Sequence, residues 1–142
     1  MKIVKAAVVS VFLLFSSCTS NVELIPVNYS SLFNDENSKV WIVNKVVYDS
    51  AVISPIDNID KSLMIFYNNN HCDFIALKNL GRKPAIKGFY NLNSRTKHLD
   101  IQFDEELWDF TLAYIYEDSI LLQPTEKSKF QFSIQLKPFP EL

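Results

Sequence analysis

The sequence predicts an all-β protein, an antiparallel up-and-down barrel of about eight short strands, and three observations carry that prediction. Apolar residues recur at every second position in short runs, as where Phe130, Phe132, Ile134 and Leu136 alternate with Lys129, Gln131, Ser133, Gln135 and Lys137. Such alternation is the mark of a strand with one buried face. The runs follow one another at hairpin spacing, with turns bearing Asn, Asp or Ser between them. Beyond residue 17, no segment carries a sustained apolar stripe of helical period with caps. A meander of this kind closes into a barrel or curls into a sandwich, and closure removes the unpaired edges through which strands aggregate.

The chain opens with Lys2 and Lys5 and an apolar run from Ala6 to Phe15 interrupted only by Ser10. The run is too short for a bilayer core, which takes about 20 apolar residues. A basic start, a short apolar stretch and small residues at its end form a secretory signal over residues 1–17. Leu14-Phe15-Ser16-Ser17-Cys18 resembles the bacterial lipobox, with Phe15 where Leu is usual. That resemblance implies cleavage before Cys18, acyl chains on its sulfur as with palmitate, and attachment to the membrane. Several chains hold where one would not, because each buried methylene adds about 0.8 kcal/mol. The absence of Asp directly after Cys18 resembles the sorting pattern for the outer membrane.

Residues 18–37 read as acylated cysteine and tether, being polar and carrying Pro26, Asn28, Ser30, Ser31, Asn34, Asp35, Glu36 and Asn37, with Leu32 and Phe33 able to dock on the domain. The barrel domain is expected over residues 38–142, one domain's worth of chain. Its first strand is Val40 to Tyr48, with Trp41, Val43 and Val47 on one face and Val40, Ile42, Val46 and Tyr48 on the other. Leu63 to Tyr67 and Cys72 to Leu77 flank Asn68-Asn69-Asn70, a hairpin signal because Asn accepts positive φ. A basic loop with Lys78, Arg82 and Lys83 follows. In the next strand Ile86, Gly88, Tyr90 and Leu92 share a face, and Gly88 signals a bend or close backbone approach. Leu99, Ile101 and Phe103 alternate with His98, Asp100 and Gln102. After the charged turn Asp104-Glu105-Glu106, residues Trp108, Phe110, Leu112, Tyr114 and Tyr116 fall on one face. Ile120 to Leu122 and the strand from Phe130 complete the count.

Taken together, Trp41, Leu63 to Tyr67 before an Asn turn, Gly88-Phe89-Tyr90 with Leu92, Leu99 to Phe103, and Trp108 into Asp118-Ser119-Ile120-Leu121-Leu122 resemble the small lipocalin-like domains of exported bacterial proteins, particularly Bacteroidetes lipoproteins. Lys39 stands where that family usually has a Gly. The resemblance implies an up-and-down barrel with an apolar interior site.

Charge and chemistry narrow the function further. With 14 basic and 16 acidic residues the net charge is -2, and removal of Lys2 and Lys5 makes the remainder more acidic. A nucleic-acid footprint needs the opposite sign. If Cys18 is acylated, Cys72 has no disulfide partner and reads as a small buried hydrophobe. His71 and His98 sit in no metal or nucleophile motif, and only two glycines exist, so no phosphate-cradling loop, cofactor site or enzyme is expected. Asp49-Ser50-Ala51 and Asp118-Ser119-Ile120 fit a short O-glycosylation pattern. The aromatic set Trp41, Tyr90, Trp108, Phe110, Tyr114, Tyr116, Phe130 and Phe132 is expected to line a pocket or fill the core. Two roles follow: binding of a small apolar or amphipathic ligand at the envelope, or, with a filled barrel, an accessory subunit that binds an envelope protein.

Overall fold

In the computed structural model, residues 25–48, 59, 61–116 and 118–140 are described. The signal peptide, Cys18 and Asp49-Ser50-Ala51 lie outside them. Eight strands follow in order: β1 Ser38–Tyr48, β2 Ser62–Tyr67, β3 His71–Ala76, β4 Ile86–Asn93, β5 His98–Phe103, β6 Glu106–Tyr116, β7 Ser119–Pro124 and β8 Phe132–Pro138. Each pairs antiparallel with the next, and β8 returns to β1, so the sheet closes into an up-and-down barrel. Closure leaves no free edge in the sheet.

Nearly half of the segment read as tether, from Tyr29 on, belongs to the fold. Residues Tyr29–Asn34 form a short helix, α1. Asn28 caps it, its side-chain oxygen accepting from the Ser30 N–H at 3.0 Å, and Asp35 ends it in the left-handed region at φ 46° with its N–H donated to the Ser31 carbonyl. A single turn and a half is too short to show a helical stripe in the sequence. What holds it is Phe33, which is fully buried against Trp41 and Phe66. The Trp41 indole N–H donates to the Phe33 carbonyl at 3.0 Å, and the buried Asn34 amide donates to the Tyr90 hydroxyl, which itself donates to the Tyr67 carbonyl at 2.7 Å. The helix thus plugs one end of the barrel.

That end also carries the tight turns β2–β3 and β4–β5. Asn70 takes positive φ there as expected, but Lys97 supplies the left-handed residue of the next turn, while Asn69 and Asn93 act through their side chains, accepting from the backbone of His71, and of Arg95 and Thr96. Asx-type bonding is the second way in which asparagine builds turns. The longer connections, β1–β2, β3–β4 and β7–β8, share the opposite end with the β5–β6 turn.

Two bulges decide which side chains enter the core. In β1 the register against β8 slips between Val43 and Lys45; in β6 the register against β7 slips between Leu112 and Tyr114. Because the side-chain period is two, one inserted residue exchanges the faces beyond it. Trp108, Phe110 and Leu112 therefore point inward, whereas Tyr114 and Tyr116, expected on the same face, stand on the outside, 57% and 60% exposed. In β1 the exchange brings Val46 against the core and puts Val47 outside.

Gly88 is needed for a close approach. A Cβ there would collide with the Gln102 carbonyl oxygen and sit 2.6 Å from Phe103 Cδ1. Phe103 is the cross-strand partner of Gly88 and packs over it. Gly88→Ala is expected to lower unfolding stability by about 1–3 kcal/mol, the range for overpacking, as read from urea midpoints; an unchanged midpoint would show that β4 and β5 are further apart.

Candidate functional site

The interior is occupied along its length by aromatic rings. Trp108, fully buried, meets Phe103, Phe132, Phe74 and Phe110 edge-on, with ring centroids 5.1, 5.2, 5.8 and 6.3 Å away. Edge-to-face pairs of this kind each add about 0.5–1.5 kcal/mol beyond their burial. Toward the helix end, Phe66 meets Phe33 and Tyr90 at 5.1 and 5.0 Å in the same manner. Of the eight aromatics expected to line a pocket or fill the core, Trp41, Tyr90, Trp108, Phe110, Phe130 and Phe132 are buried in one continuous cluster, and only the Tyr114–Tyr116 pair lies outside it. The buried six are therefore core.

Concave surface lined by described residues occurs instead at the end opposite the helix. A groove of about 400 Å³ is lined by Ile86 at the start of β4, Phe103 at the end of β5, Asp104, Glu105 and Glu106 in the turn to β6, and Lys129 and Phe130 before β8. Its size falls within the usual range of small-molecule sites, roughly 300–1,000 Å³. The floor is apolar and the rim charged, mainly acidic. Glu106 had looked like part of a charged turn. It is in fact the first residue of β6 and is buried, its carboxylate accepting from the Trp108 indole N–H at 2.5 Å. That bond ties the rim to the aromatic column. The Lys129 ammonium lies 5.4 Å from the centre of the Phe130 ring, so a cation already occupies part of the groove.

Another concavity, about 500 Å³, lies between Asp35, Lys39 and Pro138–Pro140. It sits where the two ends of the described chain leave the barrel. On the outer wall, the Tyr114 and Tyr116 rings are parallel, 6.4 Å apart, beside a shallow depression shared with Ser119, Leu121 and Gln135. Ser119 of the second O-glycosylation pattern is half-buried at the start of β7 and follows the exposed Asp118.

Neither histidine faces the interior. His71 lies against the Phe89 ring on the outer surface at 4.6 Å. His98 pairs with Asp100 as its spacing implies, at 3.3 Å, and more closely with Asp109 at 2.6 Å. Asp109 was not legible as a partner because strand register, not sequence distance, brings it there.

Cys72 is fully buried beside Gly88 of β4. Burial, and secondarily the charge of Asp73, push its thiol from an ordinary value near 9 up to about 12. Burial also raises Tyr67, which donates a hydrogen bond to Asp73 at 3.1 Å, and raises Tyr90 against the lowering effect of Asn34. An acid whose folded value lies above its unfolded one stays neutral in the fold while the unfolded chain ionises. The stability it contributes is complete below about pH 9 and is lost as the pH climbs toward about 12, on the order of a few kcal/mol for Cys72. Urea midpoints are expected to fall steeply above pH 9, less so in Cys72→Ala, and the thiol to resist alkylation at neutral pH until the chain unfolds; alkylation of the folded chain at pH 7 would contradict the burial.

Among known proteins, no family model, no curated protein and no solved structure matches this chain.

Proposed function

We propose that the chain is a membrane-anchored, non-catalytic lipoprotein of lipocalin-like type, held in the outer membrane through Cys18, whose barrel is a solid support for an amphipathic-ligand groove at the end opposite the helix. The observation that carries the reading is the groove itself: Ile86, Phe103 and Phe130 beneath a rim of Asp104, Glu105 and Glu106. Apolar walls would take an alkyl chain or ring, and the acidic rim favours a cationic head. Lys129 stands in for such a head, its ammonium over the Phe130 face. A deep calyx ligand fits poorly, since Trp108 and its four aromatic neighbours fill that space.

The direction of the groove also agrees with an anchor. The described chain enters at the helix end, where the Tyr29 N–H donates to Ser94 Oγ of the β4–β5 turn at 3.0 Å. From Cys18 to Ile25 the backbone reaches at most roughly 25 Å, so an acylated Cys18 would hold that end near the bilayer and leave the groove facing away. The exposed basic loop with Lys78, Arg82 and Lys83 lies at the far end too, away from the anchored end.

A second reading, an accessory subunit that binds an envelope protein through the barrel wall, is favoured by the exposed Tyr114–Tyr116 pair. Aromatic residues of this kind are enriched at protein interfaces.

Two experiments test these statements. Cys18→Ala is expected to move the full chain from the membrane to the soluble fraction and to abolish acyl labelling; a variant that stays with the membrane would contradict the anchor. For the groove, a dansyl-labelled alkylamine is expected to bind the full chain more tightly than the matching fatty acid. Asp104→Asn with Glu105→Gln should weaken it about 3- to 10-fold at low salt, with less effect at high salt, and Lys129→Ala should strengthen it. Equal binding to wild type and the acidic-rim variant would remove the groove and leave the accessory-subunit reading.

A further inference from the structure

The outer wall of β5 and β6 carries two facing carboxylates bridged by one imidazole. Asp100 and Asp109 are direct cross-strand partners, so their carboxylates leave the sheet side by side on one face. Like charges directly opposite one another destabilise a strand pair. Among the described residues, no Lys or Arg lies within ion-pair distance of either; their one basic neighbour is His98, with Nε2 3.3 Å from Asp100 Oδ1 and 2.6 Å from Asp109 Oδ1. The three ligand atoms lie within 4.8 Å of one another.

We propose that His98 Nε2 and the carboxylates of Asp100 and Asp109 bind a divalent transition-metal cation of zinc type, with at least one coordination position open to water or an external ligand. The charge balances, two carboxylates meeting one dication. The donor set also selects. Imidazole suits zinc, nickel and copper, whereas an all-oxygen cage suits magnesium and calcium. Zinc bonds to imidazole nitrogen and carboxylate oxygen at about 2.0–2.2 Å, and a tetrahedral centre therefore spaces its ligand atoms about 3.3 Å apart. The His98–Asp100 separation of 3.3 Å already matches that spacing, and the His98–Asp109 contact of 2.6 Å has to open by about 0.7 Å, a small side-chain rotation.

The backbone behind the site is fixed beforehand. β5 is paired on one side with β4 and on the other with β6, and β6 continues into β7. The Thr125 N–H, moreover, donates to the Asp109 carbonyl at 3.1 Å. The side chains are partly shielded, with 37%, 33% and 19% of the His98, Asp100 and Asp109 side chains exposed. A site of this kind, on the wall and apart from the groove residues, binds metal whether or not that groove takes a ligand.

The test uses the full chain, stripped with chelator and titrated with zinc chloride by calorimetry and with cobalt(II) by visible absorption. One strong site is expected, with cobalt ligand-field bands and no sulfur-to-cobalt charge transfer, and zinc should raise the thermal midpoint. His98→Ala and Asp109→Asn, whose side chains face outward and leave the core untouched, should each weaken binding more than about 100-fold, beyond the range for outer-shell changes. Cys72→Ala and His71→Ala should bind as wild type. Folding of each variant is checked by circular dichroism, and Asp100→Asn replaces any that fails. No binding at millimolar zinc, or binding that persists in the His98 and Asp109 variants, would overturn the proposal.

Discussion

The edge-to-face contacts of Trp108 with Phe74, Phe103, Phe110 and Phe132 are the constraint on which the rest of this structure depends. These rings come from β3, β5, β6 and β8, so they tie strands from around the whole circumference across the barrel axis. An eight-stranded barrel is just wide enough to be filled by side chains or to hold one small ligand. Here the aromatic side chains take that space, and any ligand is displaced to the rim. The bond from the Trp108 indole to Glu106 then links the column to the acidic turn at the end opposite the helix, so the same residue that fills the core also positions part of the groove.

Closure at the other end rests on a different device. Phe33 enters from α1 and packs against Trp41 and Phe66, and Phe66 in turn meets Tyr90, while the Trp41 indole pairs the Phe33 carbonyl and the Asn34 amide and Tyr67 carbonyl both bond to the Tyr90 hydroxyl. Buried amides and hydroxyls are tolerated when bonded and costly when not. The two ends of the barrel are consequently unlike, one plugged and one grooved, and any partner meets a molecule with a direction.

Much of this was legible in the sequence. The alternation of Leu99, Ile101 and Phe103 and of Phe132, Ile134 and Leu136 announced half-buried strands, and the Asn68–Asn70 turn and the close approach at Gly88 stand where the residues placed them. What the sequence could not reveal follows from register and length. A bulge after Leu112 adds no signature to the string of residues, so the pattern Trp108, Phe110, Leu112, Tyr114, Tyr116 reads as one face although the chain exchanges faces in the middle. A helix of six residues is too brief for periodicity, although Leu32 and Phe33 stand out as residues able to dock, and both do. Asp109 opposite Asp100 depends on a pairing that only the folded sheet defines, whereas Glu106 meets Trp108 because both lie on the inward face of β6.

The filled interior is the claim that separates this barrel from a carrier with a calyx, and the two tryptophans test it most directly. They are the chain's full complement, and both are fully buried, one in each half of the core. Acrylamide quenching of their fluorescence in the full chain should be weak and the emission blue-shifted until the chain unfolds. Ready quenching of the folded protein, with emission near that of solvated indole, would mean that the space around Trp108 is open and the account of a solid barrel is wrong.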